Sequence, residues 1–140
     1  DGEKVIDIDY GLYANTRRIH MGMTQHPADV TPSNTGHSIG HWEGDTLVVD
    51  TVGFAPGVLV PPTRNSDKMH IVERFTLDTG KPALKREYTV EDPVYLAQPY
   101  KGQDVVLPSD VPFERQPCKE ETYEFQQKPG SGEQSRAGGQ

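Results

Sequence analysis

The sequence contains almost no cysteine and no long apolar run. Cys118 is the single cysteine in 140 residues, which excludes an internal disulfide framework and a cysteine-based zinc site. No stretch approaches the about 18 apolar residues of a transmembrane helix, so no span of its own is expected. The sequence also contains neither a P-loop nor a G-x-G-x-x-G motif. It therefore offers no signal for nucleotide binding.

Positive charge is scarce as well. Fourteen Lys and Arg stand against 21 Asp and Glu, which gives a formal net charge of -7. An acidic chain of this kind argues against nucleic acid or anionic lipid as a partner. Glycine and proline, in contrast, are abundant at 14 and 12 residues, and only 33% of the chain is hydrophobic. This composition favours short strands joined by many turns.

Alternating patterns predict strands along most of the chain. The clearest is a hairpin of strands 38–43 and 46–53 around a tight turn at Gly44-Asp45, since both residues suit positive φ. Further strands are predicted in the chain segments 12–19, 69–78, 83–91, 104–107 and 118–125.

Loops and one short turn separate these strands. Residues 1–10 read as a charged lead-in, and 92–96 as a turn or single helical turn that begins at Asp92-Pro93. Long loops are predicted at 21–36, 55–67 and 99–117. The predicted fold is mainly β: a small antiparallel β-barrel or two-sheet sandwich with long Pro/Gly-rich loops and at most one short helix. Residues 1–125 form one β-rich domain, and 126–140 form a Gly/Ser/Gln-rich tail whose composition is typical of disorder.

Glu73 is the most informative polar residue. Alternation along 69–78 places it on the apolar face of the strand, beside Ile71 and Phe75, so its carboxylate is expected to point inward. A buried carboxylate needs a cation, a proton or several hydrogen bonds, and Arg17 is the candidate cation. Two interpretations stay open. One is a structural Glu–Arg pair, or a bulge that turns Glu73 outward; the other is a general acid or base, assisted by Arg17 and His70, in a ligand cavity.

The histidines are scattered in the sequence. His37 and His41 share one face of an extended 37–43 strand, but about 13 Å separates them at ~3.3 Å per residue. That separation argues against a shared metal, and neither a metal nor a cofactor is predicted. Trp42 is expected to anchor the core or the end of a barrel. If a barrel holds a ligand, the predicted binding residues are Trp42, His37, His41 and Phe75.

The stretch from Gly36 to Phe54, GHSIGHWEGDTLVVDTVGF, resembles a motif of uncharacterised exported proteins of soil bacteria such as acidobacteria and gemmatimonads. That motif runs G-x-S-x-G-x-W-E-G-D-T-L-V-V-x-T-x-G-F. The resemblance covers residues 11–125 and further rests on Arg17-Arg18, His26-Pro27, His70, Glu73-Arg74-Phe75, Asp92-Pro93, Tyr95 and Pro99. It implies export to the periplasm or beyond and a small β-rich domain. It implies no particular reaction.

Two hypotheses for function follow. The first is a non-catalytic exported module that docks on other subunits of a periplasmic or membrane-associated assembly, or on itself, through the loops 55–67 and 99–117 and the C-terminal tail. The second is a small-molecule-binding β-barrel enzyme of lyase, isomerase or cyclase type that uses Glu73 on an apolar substrate. A cavity with Glu73 at its wall would favour the second hypothesis.

Overall fold

The computed structural model describes residues 4–11 and 15–115, and these form nine strands. Their bounds are β1 Val5–Tyr10, β2 Asn15–His20, β3 His37–Glu43, β4 Thr46–Val52, β5 Gly57–Val60, β6 Thr63–Asn65, β7 His70–Asp78, β8 Ala83–Glu91 and β9 Tyr100–Val106. The predicted strand at 118–125, Cys118 and the tail 126–140 lie outside the described residues. Within the described ranges no helix is long and apolar enough to cross a membrane.

Seven of the strands form one curled sheet in the order β1-β2-β3-β4-β7-β8-β9. Every neighbouring pair is antiparallel except β2 and β3, which are parallel. The curl makes a half-barrel, and β5 and β6 form a separate two-stranded hairpin. The prediction of a mainly β fold is confirmed, and no helix occurs in the described part of the chain.

The two faces of the curled sheet differ in character. Cross-strand partners such as Ile19 and Ser38, or Val49 and Glu73, point to the same side. That concave side holds the apolar core of Ile19, Leu47 and Val49. The convex side carries mainly charged and polar residues, as expected for a sheet with one face packed and one in solvent.

The β3–β4 hairpin confirms the strongest sequence prediction. Glu43 pairs with Thr46 across a two-residue turn, and Gly44 takes a φ of +59°. Gly40, in the same hairpin, allows close packing, because a methyl group there would lie 2.7 Å from Ile19 Cγ2. The hairpin therefore holds β2 tightly against the sheet at this point.

Four strands lie where the sequence predicted none or only part of one. The charged lead-in contains β1, which is an edge strand. Its outward Asp7 and Asp9 made the segment look too charged to be a strand. The predicted loop 55–67 contains the hairpin β5–β6, and the predicted loop 99–117 contains all of β9 rather than a short strand at 104–107. These loop predictions were wrong because edge strands and small hairpins bury too little surface to need apolar alternation.

Residues 92–96 form a turn and not a helix. The backbone N–H groups of Tyr95 and Leu96 donate to the Asp92 carbonyl at 3.2 and 2.8 Å. The Asp92 carboxylate, 3% exposed, accepts from the Ser66 N–H and hydroxyl, both at 2.7 Å, and from the Val94 N–H at 3.0 Å. It thereby ties the β5–β6 hairpin to the turn after β8. Burial opposes the charge of this carboxylate, but these hydrogen bonds prevail and lower the Asp92 pKa.

Candidate functional site

Glu73 lies at the centre of the concave face and is 3% exposed. Its Oε2 accepts a hydrogen bond from Arg17 Nη2, which reaches it from β2. Arg17 is itself buried and also donates to Ser38 Oγ at 2.9 Å and Thr51 Oγ1 at 2.7 Å. The predictions that Glu73 points inward and that Arg17 is its partner are confirmed.

A second arginine extends this ion pair. Arg86 Nη1 lies 3.2 Å from Glu73 Oε1, and the other side of its guanidinium binds Asp104 on β9. Burial works against the charge of Arg17, yet the hydrogen bond and charge of Glu73 outweigh it and raise the Arg17 pKa. The hydrogen bond to Asp104 raises the Arg86 pKa in the same way. Both guanidinium groups stay charged, so each Glu73 oxygen faces a permanent cation.

Gly36–Gly40 also matches the G-x-S-x-G pattern of serine hydrolases. In those enzymes the serine sits on a sharp turn from strand to helix, where its hydroxyl is exposed. Here Ser38 lies inside β3, is fully buried, and shares a 2.8 Å hydrogen bond with Thr51 Oγ1 in addition to the one from Arg17. Its hydroxyl is part of the packing around the ion pair and cannot serve as an exposed nucleophile.

Two cavities lie on the concave side beside this charged centre. One, of about 290 Å³, reaches Glu73 between Tyr10, Asn15, Asn34 and Phe54. The other, of about 660 Å³, is mostly apolar, and we call it the concave groove. Its wall residues are Ile6, Ile8, Tyr10, Trp42, Asp45, Leu47, Phe75, Leu77, Leu84, Arg86, Asp104, Val105 and Val106.

The concave groove is open to solvent. Trp42 is 59% and Leu77 64% exposed at its rim. The expectation that Trp42 anchors the core was therefore wrong, because the sheet stays open at that end. Phe75 lies deeper and packs against the core. Trp42 and Phe75, two of the four residues predicted to bind a ligand, thus line the same groove.

The structure does not bring the remaining predicted residues to the same side. His37, His41 and His70 have the opposite alternation to Ser38 and Glu73 and lie on the convex face. His70 is therefore separated from Glu73 by the sheet itself. The predicted set of Glu73, Arg17 and His70 does not form one site, and neither do Trp42, Phe75, His37 and His41.

Four histidines instead gather around Asp50 on the convex face. In this histidine cluster, His26 Nε2 and His70 Nε2 lie 3.1 and 2.9 Å from the same Asp50 oxygen. His26 Nδ1 lies 2.8 Å from His37 Nδ1, and the His20 and His37 rings stack at 4.8 Å. A hydrogen bond between two Nδ1 atoms needs one proton, so only one of these two nitrogens is protonated.

The cluster draws on four different strands and a loop, which is why spacing along the sequence did not reveal it. His20 ends β2, Asp50 lies in β4, and His26 reaches Asp50 from the loop 21–36. In the sequence, the only local sign of this cluster was His37, which lies at the start of a predicted strand and beside other polar residues. Among residues 4–11 and 15–115, no group of three or more His, Cys, Asp or Glu side chains is arranged to hold a metal ion.

Comparison of the chain with protein-family models, with curated proteins and with solved structures finds no match.

Proposed function

We propose that this protein is a non-catalytic docking module of a larger exported assembly, and that its concave groove receives an extended apolar segment of another subunit. The observation that carries the proposal is the open half-barrel. Large apolar side chains remain exposed inside it, and soluble proteins seldom leave such surfaces together without a binding role. Export follows from the sequence resemblance alone.

The two edges of the sheet support this type of ligand. Among the described residues, no strand pairs with the outer edge of β1 or of β9. Ile6, Ile8 and Tyr10 of β1 and Val105 and Val106 of β9 nevertheless line the same cavity. An added strand would satisfy unpaired backbone groups at an edge while its side chains filled the groove. A single extended segment would therefore both pair with an unpaired sheet edge and cover the apolar groove.

The shape of the groove favours a polypeptide over a small molecule. Small-molecule sites enclose most of their ligand's surface, whereas this groove leaves its rim residues Trp42 and Leu77 largely in solvent. An extended segment is long enough to cover them. The net charge of -7 favours basic residues at the ends of that segment.

The charged centre supports a structural role for Glu73. A general acid or base must exchange its proton with substrate, but Glu73 is held on both oxygens by Arg17 and Arg86. The enzyme alternative of lyase, isomerase or cyclase type keeps one supporting observation, the cavity of about 290 Å³ that reaches Glu73. Docking accounts for both the open apolar groove and the unpaired sheet edges, so it is the function that we propose.

The test uses a synthetic peptide in which valine alternates with threonine between lysine ends. We expect the peptide to shift Trp42 fluorescence to shorter wavelength and to slow hydrogen exchange of amides on the outer edge of β1 or β9. A peptide with the same side chains but every backbone nitrogen methylated has no N–H donor on either edge, cannot form the ladder, and is the matched ligand control.

Two variants locate the binding. Leu77→Asn places a polar group in the groove and is expected to weaken binding. Val58→Asn changes a comparably exposed residue outside the groove and is expected to leave binding unchanged. No slowing of edge exchange at saturating peptide would reject strand addition. A Trp42 shift with a neutral apolar dye, without edge protection by the peptide, would support the small-molecule alternative instead.

A further inference from the structure

A third cavity lies between the β5–β6 hairpin and the sheet. This hairpin cavity measures about 560 Å³ and is separate from the concave groove, with which it shares no wall residue. Its apolar walls come from Leu59 on the hairpin, Met69 before β7, Val90 on β8 and Leu96 in the following turn. Met69 is buried, so the inner wall of the cavity is fixed by packing.

Tyrosines form one side of the cavity. The rings of Tyr88 and Tyr100 lie 6.2 Å apart, and the Arg86 guanidinium stacks on Tyr88 at 4.9 Å from its centroid. Gly102 on β9 makes this possible, because a side chain there would occupy the position of the Tyr88 ring. Burial and the neighbouring Tyr100 raise the Tyr88 pKa, so its hydroxyl keeps its proton. The side is aromatic, rigid and uncharged.

Among the described residues that line the hairpin cavity, Arg64 supplies the only positive charge. Of the six arginines in the described residues, the other five each pair with a carboxylate, at Glu73, Asp7, Glu43, Asp104 or Asp9. Arg64 makes no such pair, although Asp92 lines the same cavity, because the Asp92 carboxylate is engaged by Ser66 and Val94. A guanidinium beside an apolar cavity recognises an anionic group on an otherwise apolar molecule.

We propose that the hairpin cavity binds a small organic anion, with its apolar or aromatic body between Leu59, Leu96 and Tyr88 and its carboxylate or sulfonate on Arg64. The site is independent of the docking groove and of Glu73. Its ligand class follows from one unpaired guanidinium set in walls that are mostly apolar and aromatic, where the carboxylate of Asp92 is already engaged by Ser66.

The test compares two fluorescent probes that share an aromatic body. 8-Anilinonaphthalene-1-sulfonate carries a negative charge, whereas N-phenyl-1-naphthylamine is neutral. We expect Arg64→Gln to weaken the sulfonate about tenfold, the loss expected for one charge-assisted hydrogen bond, and to leave the affinity for the neutral probe unchanged. Arg74→Gln, which removes a paired arginine of the convex face, is the matched control and is expected to change neither affinity.

The position of the probe is read from the methionine methyl groups by NMR. Met69 lines the hairpin cavity, while Met21 packs beside the concave core. We expect the sulfonate to shift the Met69 signal and not that of Met21, with Met69→Leu identifying the signal. The Trp42→Ala variant removes a dye contact in the concave groove and is expected to retain this shift. Equal weakening of both probes by Arg64→Gln, or no shift of Met69 at saturation, would overturn the proposal.

Discussion

At the scale of single residues, the buried ion pair decides how the concave face is built. Glu73 and Arg17 come from strands that are not neighbours in the sheet, so their bond runs across the curl and not along a ladder. Removing two charges from water is costly, and the attraction between them repays that cost only when the geometry is complete. Ser38 and Thr51 contribute to it by accepting hydrogen bonds from Arg17 Nε and Nη2.

We therefore expect Glu73→Gln to destabilise the fold by about 3 kcal/mol, because it leaves the Arg17 charge buried without its partner. The double variant Arg17→Met with Glu73→Leu removes both charges and is expected to lose less than Glu73→Gln alone. Urea unfolding of the three proteins measures both quantities. A double variant that is less stable than Glu73→Gln would show that the ion pair contributes net stability of its own.

Asp92 gives a second residue-scale prediction. The Asp92 pKa is lowered in the folded protein, so its carboxylate stabilises the fold above the ordinary aspartate pKa of about 3.9. That stability is lost as the pH falls through the lower, folded value. Asp92→Asn keeps the shape but loses charged acceptors for Ser66 and Val94, and we expect it to cost about 1–3 kcal/mol at neutral pH.

The measurement for Asp92 is the free energy of unfolding between neutral and acid pH. The difference between wild type and Asp92→Asn is expected to shrink as the pH falls below the ordinary aspartate range. Asp67→Asn, which changes an exposed aspartate next to Ser66 in the sequence, serves as the control. A difference that stays constant down to acid pH would mean that the Asp92 charge has no part in it.

At the scale of elements, the histidine cluster fastens the loop 21–36 to the sheet. His26 contributes two of the contacts, to Asp50 and to His37. A third attachment comes from the Ser33 N–H, which donates to the Gly53 carbonyl at 3.0 Å. The loop therefore has two separate anchors, one at each of these residues.

We expect His26→Ala to release the first anchor and to speed hydrogen exchange in the residues around it, while exchange near Ser33 changes little. Two hydrogen bonds at about 0.5–1.5 kcal/mol each set the size of the effect on local opening. His41→Ala is the matched control, since His41 is exposed and contacts only the neighbouring Glu43. Equal exchange in the two variants would show that the cluster does not hold the loop.

The strands also show which parts of the fold can be predicted from a single sequence. Alternation identified β3, β4, β7 and β8, because each has one face in the core, and it placed Glu73 inward. It could not identify β1 or β9, whose outer sides face solvent, or the order of strands in the sheet. The histidine cluster depends on that order: β4 lies next to β7, and β2 lies parallel to β3. Those pairings are set by packing between distant segments and leave no local pattern.

At the scale of the whole molecule, the half-barrel consists of two unequal parts. The antiparallel strands β3, β4, β7, β8 and β9 are joined by long ladders, seven register pairs between β3 and β4 for example. The β1–β2 hairpin joins this body through only two register pairs, Ile19 with Ser38 and His20 with Ile39. Arg17 adds a connection of another kind, because it reaches from β2 to Glu73 on β7.

This asymmetry predicts that the β1–β2 hairpin opens before the rest of the sheet. Its amides are expected to exchange with a lower free energy of opening than those of β4 and β7, since few ladder bonds hold it. Arg17→Met removes the bond to β7 and is expected to lower protection in β1 and β2 more than in β4. Arg18→Met changes the adjacent arginine, whose partner Asp7 lies within the same hairpin, so it is expected to leave that difference unchanged. If Arg17→Met lowers protection equally in β2 and β4, the hairpin and the body unfold as one unit, and the ion pair stabilises the whole sheet instead of attaching one part of it to the other.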